Sequence, residues 1–171
     1  MSWSAPASDG GSPVTGYVVT PYIGASAQSP ITFSSPATTQ TVSGLTNGTA
    51  YTFTVSAVNA VGTGPASTPS APATPATTAD APSGVTGVAG ITQVTLSWSA
   101  PASDGGSPVT GYVVTPYLLG IAQSPITFSS PATTQTVTGL LVGSLYTFTV
   151  SAVNGVGTGP ASVASGSIIP L

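Results

Sequence analysis

The chain has 171 residues, contains no Lys, Arg, His or Cys, and carries a formal net charge of −3 from Asp9, Asp80 and Asp104 alone. Because nucleic acids and anionic membrane surfaces are bound chiefly through Lys and Arg, this composition excludes both as partners. No apolar run reaches the length that a membrane-spanning helix needs, and no Cys pair can form a disulfide, so we expect no membrane insertion and no covalent cross-link.

Two copies of one unit account for most of the chain. The stretch SWSAPASDGGSPVTGYVVTPY occurs at residues 2–22 and again, letter for letter, at residues 97–117. At the same offset of 95 residues, the first copy differs from the second at ten positions up to residue 67. A period of this length is too long for a solenoid repeat and suits a whole small domain. We therefore predict an N-terminally truncated domain at residues 1–78 and a complete domain at residues 79–171.

A stretch rich in Pro, Ala and Thr separates the two copies. It reads TPSAPATPATTADAPSG and covers residues 68–84. Pro-rich segments of this kind are extended and semi-rigid. We therefore expect this stretch to act as a linker that holds the two domains apart in line.

The second copy shows the strand pattern of the repeated unit most fully. Four stretches are predicted strands, QVTLSW, TGYVVTPY, TTQTVTGL and YTFTVSAVN, at residues 93–98, 110–117, 133–140 and 146–154. In the last of them Tyr146, Phe148, Val150 and Ala152 share one face. Short alternating strands separated by turns are typical of an all-β sandwich, and no stretch shows the 3.6-residue period of a helix.

On these residues each copy resembles a fibronectin type III domain. The resemblance lies in LSWSAP with Trp98, in DGGSPVTGY with Tyr112, and in GLLVGSLYTFTVSAVNGVGTGPAS, where Leu140 precedes Tyr146 by six residues as in a tyrosine corner. The first copy carries the same set at Trp3, Tyr17, Leu45, Tyr51 and Asn59. The resemblance implies two immunoglobulin-like β-sandwiches in tandem, the first without strand A and half of strand B. It also implies an adhesion module, spacer or scaffold, usually outside the cell.

The residues offer little for catalysis or metal binding. Asp9 and Asp104 each precede Gly-Gly in a turn, where an Asp normally accepts hydrogen bonds from its own backbone, and Asp80 lies in the predicted linker. Ser and Thr are abundant, but the chain contains no His, Lys or Glu that could activate them. Three scattered carboxylates without imidazole or thiolate make a poor metal site. We therefore expect no enzyme, no cofactor and no metal, and the residues identify no small-molecule ligand.

The differences between the copies place apolar residues in the second one. Gly24, Ser26, Thr46, Asn47 and Ala50 correspond to Leu119, Ile121, Leu141, Val142 and Leu145. The C-terminal stretch SVASGSIIPL adds Val163, Ile168, Ile169 and Leu171. In the resembled fold, the turns and the chain end that carry these residues lie at one pole of the sandwich. We therefore predict an assembly interface formed by these nine residues, with a cap on the domain's own core as the alternative.

The first copy has no counterpart of the segment that precedes Leu96, because Met1 aligns with that residue. In the second copy we expect Val85, Val88 and Val94, together with Ile91, to be buried there, at about 1.5–3 kcal/mol each. Domain 1 should accordingly be marginally stable and expose a sheet edge, which is a known site of pairing with other chains.

A strand from another chain is the predicted occupant of this gap. The proposed donor is the tail Ser165–Leu171, with Ile168, Ile169 and Leu171 as anchors. The linker at residues 68–84 folding back is a second possibility, and a cut from a longer repeat array is a third.

A head-to-tail contact of this kind is open-ended and produces a fibre. The leading hypothesis is therefore a structural subunit of an extracellular filament or surface array that assembles from copies of itself. It would use strand complementation and the apolar pole of domain 2. The alternatives are a monomeric spacer or adhesion module of a larger secreted or phage-tail protein, and an engineered consensus scaffold.

Overall fold

Antiparallel strands and turns build the whole molecule, and the computed structural model describes all residues from 1 to 171. The chain divides into unit 1, Met1–Pro75, and unit 2, Ala76–Leu171. The predicted all-β class and the tandem of immunoglobulin-like sandwiches are confirmed.

Unit 1 contains four named strands, β1 (Gly16–Ile23), β2 (Ser26–Ala27), β3 (Ile31–Phe33) and β4 (Thr52–Val58). They form one sheet in which β1 pairs antiparallel with β4 from Gly16 to Tyr22 and with β2 and β3 on its other side. The register places Tyr17 opposite Ala57 and Val19 opposite Val55. The buried hydrophobic residues of the unit are few: Tyr17, Val19, Tyr51 and Phe53.

Unit 2 contains eight strands, β5 (Ser83–Gly90), β6 (Gln93–Ser99), β7 (Gly111–Leu118), β8 (Ile121–Ala122), β9 (Ile126–Phe128), β10 (Thr134–Thr138), β11 (Tyr146–Val153) and β12 (Thr158–Ala161). One sheet has the order β10-β6-β5 and the other the order β12-β11-β7-β8, with β9 also on β7. The four strands predicted in the second copy are confirmed as β6, β7, β10 and β11.

The core of unit 2 lies between these two sheets. Val94, Leu96 and Trp98 of β6 are buried, and so is the predicted face of β11, from Tyr146 to Ala152. The Trp98 and Tyr112 rings meet edge to face with their centroids 5.0 Å apart. The expectation for β5 and the turn after it was partly wrong, because Val85 is buried whereas Val88 and Ile91 are 73% and 78% exposed.

Unit 1 has only a remnant of the second sheet. Ser2 forms a single bridge with Thr39, supported by a hydrogen bond from Trp3 N to Thr38 O. The next residues, Thr41–Ser43, correspond to the end of β10 and have no strand beside them; we call this segment the open edge. Val42 is half-buried there, whereas its counterpart Val137 is 1% exposed.

The stretch predicted as a linker is shared between the two units and is not a free spacer. The amides of Ser67, Ser70 and Ala73 donate to carbonyl oxygens of Val55, Phe53 and Tyr51, so this part pairs along β4. The paired amides recur every third residue, and the prolines fall between them. A Pro-rich stretch can therefore serve as an edge strand, because its missing N–H groups face away from the ladder. Residues 76–84 belong to unit 2, where Ser83 already begins β5.

The tail Ser165–Leu171 likewise pairs with its own unit. Ile168 exchanges two backbone hydrogen bonds of 2.9 Å with Tyr146. Leu171 N donates to Gly90 O, and Leu171 O accepts from Thr92 N. The tail was thus wrongly predicted as a free donor strand, because these bonds extend the edge of the sheet and close the end of unit 2.

Candidate interaction surfaces

Four loops of unit 2 are joined by backbone hydrogen bonds at one end of the sandwich. Leu119 N, in the β7–β8 turn, donates to Leu145 O at 3.1 Å. Gly143 N donates to Pro170 O at 3.0 Å, which links the loop before β11 to the tail. Leu140 N donates to Thr92 O at 3.0 Å, which adds the β5–β6 turn. These bonds fix the loops in place, so the side chains that they carry form one surface.

We call this surface the apolar pole, and its exposed members are Ile91, Leu119, Ile121, Leu141, Val142, Leu145, Ile169 and Leu171. It includes seven of the nine residues that the sequence placed in an assembly interface. Leu119 and Ile121 are 74% and 70% exposed, so they do not cap the core of the unit. A connected apolar surface of this kind is typical of an interaction site.

The two remaining predicted residues lie elsewhere. Val163 is 88% exposed but follows Ser162, whose amide pairs with Val150 in the middle of β11, so it belongs to the side of the sheet. Ile168 is half-buried and packs against the core of unit 2. The sequence reasoning also missed Ile91 as a member of the pole. The turn signal at Gly90-Ile91-Thr92 was the available clue, since a turn residue points to solvent more often than a strand residue.

The backbone at Leu119 is strained. Its φ is 49°, in the left-handed region that costs an L-residue about 1–2 kcal/mol, and its counterpart in unit 1 is Gly24 with a φ of 57°. A two-residue hairpin turn with positive φ normally takes Asn or Gly at this position. Unit 2 therefore holds an exposed leucine at a position where a small residue would be more stable.

The same end of unit 1 is polar. The residues that correspond to the pole, Gly24, Ser26, Thr46, Asn47, Ala50, Thr74 and Ala76, include no large apolar side chain. Both ends have the same tyrosine corner, in which Tyr51 Oη accepts from Thr46 N at 3.1 Å and Tyr146 Oη accepts from Leu141 N at 3.2 Å. The two ends therefore share the same loop backbone and differ in the side chains that it carries.

A second candidate surface is a groove in unit 1. It is a cavity of 860 Å³ whose lining includes Trp3, Ser8, Tyr17, Val55, Asn59 and Gly64. We call it the unit 1 groove. None of its lining residues belongs to the open edge, which lies further along the unit.

Two of the three acidic residues have structural roles in turns. Asp9 Oδ1 accepts from Gly11 N at 2.9 Å, and Asp104 Oδ1 accepts from Gly106 N at 2.8 Å, as predicted for Asp before Gly-Gly. They lie in different units. Nowhere do three potential metal-ligating side chains come together. The structure also holds no helix with the length and apolar character to pass through a membrane.

The sequence matches the family model of the fibronectin type III domain twice, at residues 1–73 and 80–167. Among curated proteins, it is 36% identical over 165 residues to Chitinase A1 of Niallia circulans, covering 92% of this chain and 21% of that protein. It is 38% identical over 127 residues to Myomesin-2 of Homo sapiens, covering 71% of this chain and 9% of that protein. The chain thus spans about a fifth or less of the length of these relatives.

Solved structures of tandem domains superpose on the chain. A crystal structure of titin domains matches with a TM-score of 0.57 and 25% identity, over 90% of this chain and 54% of that one. The FN1–FN3 domains of chicken CNTN1 match with a TM-score of 0.51 and 24% identity, over 91% of this chain and 55% of that one. The second likeness concerns the fold alone.

Proposed function

The chain belongs to the fibronectin type III family, and on this basis we propose that it is a non-catalytic structural subunit of an extracellular filament or surface array. Tandem domains of this family are structural and spacer modules and are generally non-catalytic. The proposal adds two statements to this family-level role: the chain assembles from copies of itself, and it does so outside the cell.

The observation that carries the proposal is Leu119. It is 74% exposed and its φ is 49°, while the equivalent turn in unit 1 uses Gly24. An isolated unit gains nothing from a strained leucine that faces water. Burial against another molecule would offset the strain, because covering a leucine side chain contributes about 1.5–3 kcal/mol.

The open edge of unit 1 is the proposed counter-surface. Thr41–Ser43 pairs with no strand of its own unit, and Val42 within this segment is only partly buried. The short edge strand β8, which carries Ile121 at the pole, can add beside Thr41–Ser43 of the next copy while Leu119 covers Val42. Strand complementation in this form uses an edge strand that stays in its own unit, so it does not require the tail.

The pole and the open edge lie on different units of the chain. A contact between them is therefore head-to-tail, and such contacts produce open-ended polymers unless the rotation closes a ring. The chain also carries only three charged side chains, so its surface has few of the charged groups that normally keep copies of a protein apart.

Sedimentation velocity over a range of concentrations, followed by negative-stain microscopy, tests this proposal. We expect species larger than the 16.4 kDa chain that grow with concentration, and linear particles on the grid. A monomer at every concentration would instead favour the second candidate, a spacer within a larger protein. That candidate is supported by the small share of the relatives' length that the chain matches.

A further inference from the structure

Two Asn-Gly steps occur in the chain, at Asn47-Gly48 and at Asn154-Gly155. In such a step the backbone nitrogen of the glycine can attack the side-chain carbonyl carbon of the asparagine, because glycine has no side chain to obstruct the approach. The two groups must turn toward each other, so the local structure decides whether the reaction proceeds. The two steps lie in different units and in opposite environments.

The step in unit 2, Asn154-Gly155, is locked in place. Asn154 is 5% exposed, and its Nδ2 donates to Thr77 O and Asp104 O, both at 2.8 Å. Its Oδ1 accepts from two backbone amides of the same turn, at 3.0 and 3.2 Å. The nitrogen that would attack, Gly155 N, donates to Ser107 Oγ at 3.1 Å. The side chain therefore cannot turn toward this nitrogen without leaving four hydrogen bonds in a buried site.

The step in unit 1, Asn47-Gly48, lies in an exposed turn. Both residues are exposed, and Thr49 N donates to Thr46 O at 3.3 Å across the turn. Gly48 has a φ of 77°, and its nitrogen donates to Pro75 O at 2.9 Å. Opening of this bond at the surface frees the attacking nitrogen, and no part of the core has to open with it.

We propose that Asn47-Gly48 is a site of spontaneous deamidation, a covalent modification that needs only water as co-reactant. Gly48 N, after loss of its proton to solvent base, attacks Asn47 Cγ and forms a new C–N bond. The side-chain nitrogen takes up a proton and leaves as ammonia, so the product is a cyclic succinimide. Addition of water to one ring carbonyl opens the ring to aspartate. Addition to the other opens it to isoaspartate, in which the backbone runs through the side-chain carbons.

The modification changes unit 1 in two ways. Either product adds one negative charge to a formal net charge of −3. Isoaspartate also inserts an extra carbon into the backbone of the turn, so Thr49 N and Gly48 N cannot both keep their present acceptors, Thr46 O and Pro75 O. The end of unit 1 at residues 73–75 is therefore loosened.

Unit 2 builds the same turn without the reactive side chain. Val142 stands where unit 1 has Asn47, and the next residue, Gly143, has a φ of 73°. Gly143 N donates to Pro170 O at 3.0 Å, which matches the bond of Gly48 N. Because the backbone of the two turns is alike, a single substitution can remove the reactive step from unit 1 or install it in unit 2.

Incubation of the full chain at mildly alkaline pH and physiological temperature tests this proposal. Mass spectrometry of chymotryptic peptides locates the conversion, anion exchange separates the more acidic product, and an isoaspartyl methyltransferase labels isoaspartate. We expect conversion at Asn47 to be at least about tenfold faster than at Asn154, because the buried side chain must first leave its hydrogen bonds. We also expect the rate to rise with pH, since base removes the amide proton.

Two variants serve as matched controls. Asn47→Val installs the residue of unit 2 and should abolish the acidic product. Val142→Asn installs the residue of unit 1 and should create a second site that converts at a rate similar to that of Asn47. Both positions are exposed, so both variants should fold as the wild type does, which circular dichroism verifies.

Three results would overturn the proposal. The first is an unmodified Asn47 under conditions that convert a synthetic peptide of residues 44–52. The second is conversion of Asn154 as fast as that of Asn47, since burial and hydrogen bonding would then not control the reaction. The third is a folded Val142→Asn chain without the second site, which would show that the shared turn does not permit the attack.

Discussion

The amide of Leu119 donates to the carbonyl oxygen of Leu145 at 3.1 Å, and this bond holds two apolar turns of unit 2 side by side. It also holds Leu119 at a φ of 49° with its side chain in solvent. Leu119 therefore lowers the stability of unit 2 while it adds to the apolar pole. A mutation at this residue can show both effects.

Replacing Leu119 by Asn should stabilise unit 2 and weaken self-association together. Asn adopts positive φ more readily, and Asn-Gly is the preferred two-residue hairpin turn, so we expect a gain of about 1 kcal/mol in the free energy of unfolding. Chemical denaturation gives the stability, and sedimentation velocity gives the association. The control is Gly24→Leu, which should destabilise unit 1 by a similar amount. A loss of stability in Leu119→Asn would show that the strain has no energetic consequence.

Alanine at Gly64 and at Gly159, which occupy equivalent positions, should affect the two units differently. Gly159→Ala forces a methyl group against the Ala79 carbonyl, so we expect unit 2 to lose about 1–3 kcal/mol, the usual cost of overpacking. Gly64→Ala should change the stability of unit 1 by less than about 0.5 kcal/mol. Hydrogen exchange of residues in each unit reports the two stabilities separately. Equal effects at the two sites would contradict this difference in packing.

Truncation of Val42 and Val137, which occupy equivalent positions in the two units, should show how much less unit 1 gains from burying this side chain. Val137 is 1% exposed in the core of unit 2, so Val137→Ala should cost about 2 kcal/mol. Val42→Ala should cost less than about 1 kcal/mol, because that side chain is only partly buried at the open edge. Denaturation of both variants, followed by hydrogen exchange, measures the difference. A larger loss for Val42→Ala would mean that the open edge is covered in solution.

The tail should act on the stability of unit 2 and not as a free strand. Ile168 packs against the core, so Ile168→Ala, which installs the residue found at Ala73, should destabilise unit 2 by about 2 kcal/mol. Ile169 is half exposed, and Ile169→Thr, which installs the residue found at Thr74, should cost less than about 0.5 kcal/mol. Thermal unfolding distinguishes the two. If Ile168→Ala left the thermal unfolding of unit 2 unchanged, the tail would not be packed on unit 2 and could act as a donor strand.

Features fixed by local pattern could be predicted from the sequence. The alternation in YTFTVSAV requires one covered face, and the structure buries the face that starts at Tyr146. Asp before Gly-Gly accepts the expected backbone bonds, and the tyrosine corner forms in both units. In each case, residues close together in sequence decide the geometry.

Features that depend on partners distant in sequence could not be predicted. Prolines suggested a free linker at residues 68–84, but the amides between them pair with β4 and the rest packs on unit 2. Val88 looked like a core valine, yet in β5 it lies on the solvent face. The pole was found only because the two copies could be compared, and Ile91 has no counterpart in the first copy to reveal it.

The most direct test of the assembly proposal is to give the pole the residues of unit 1. The variant Leu119→Gly/Ile121→Ser/Leu141→Thr/Val142→Asn removes four apolar side chains and keeps the loop framework. The matched control, Val88→Thr/Val156→Thr/Val163→Thr, removes exposed valines outside the pole. In sedimentation velocity, we predict concentration-dependent assembly of the wild type and the control, and a 16.4 kDa monomer for the pole variant. Assembly of the pole variant equal to that of the wild type, or a wild type that stays monomeric at every concentration, would contradict the account.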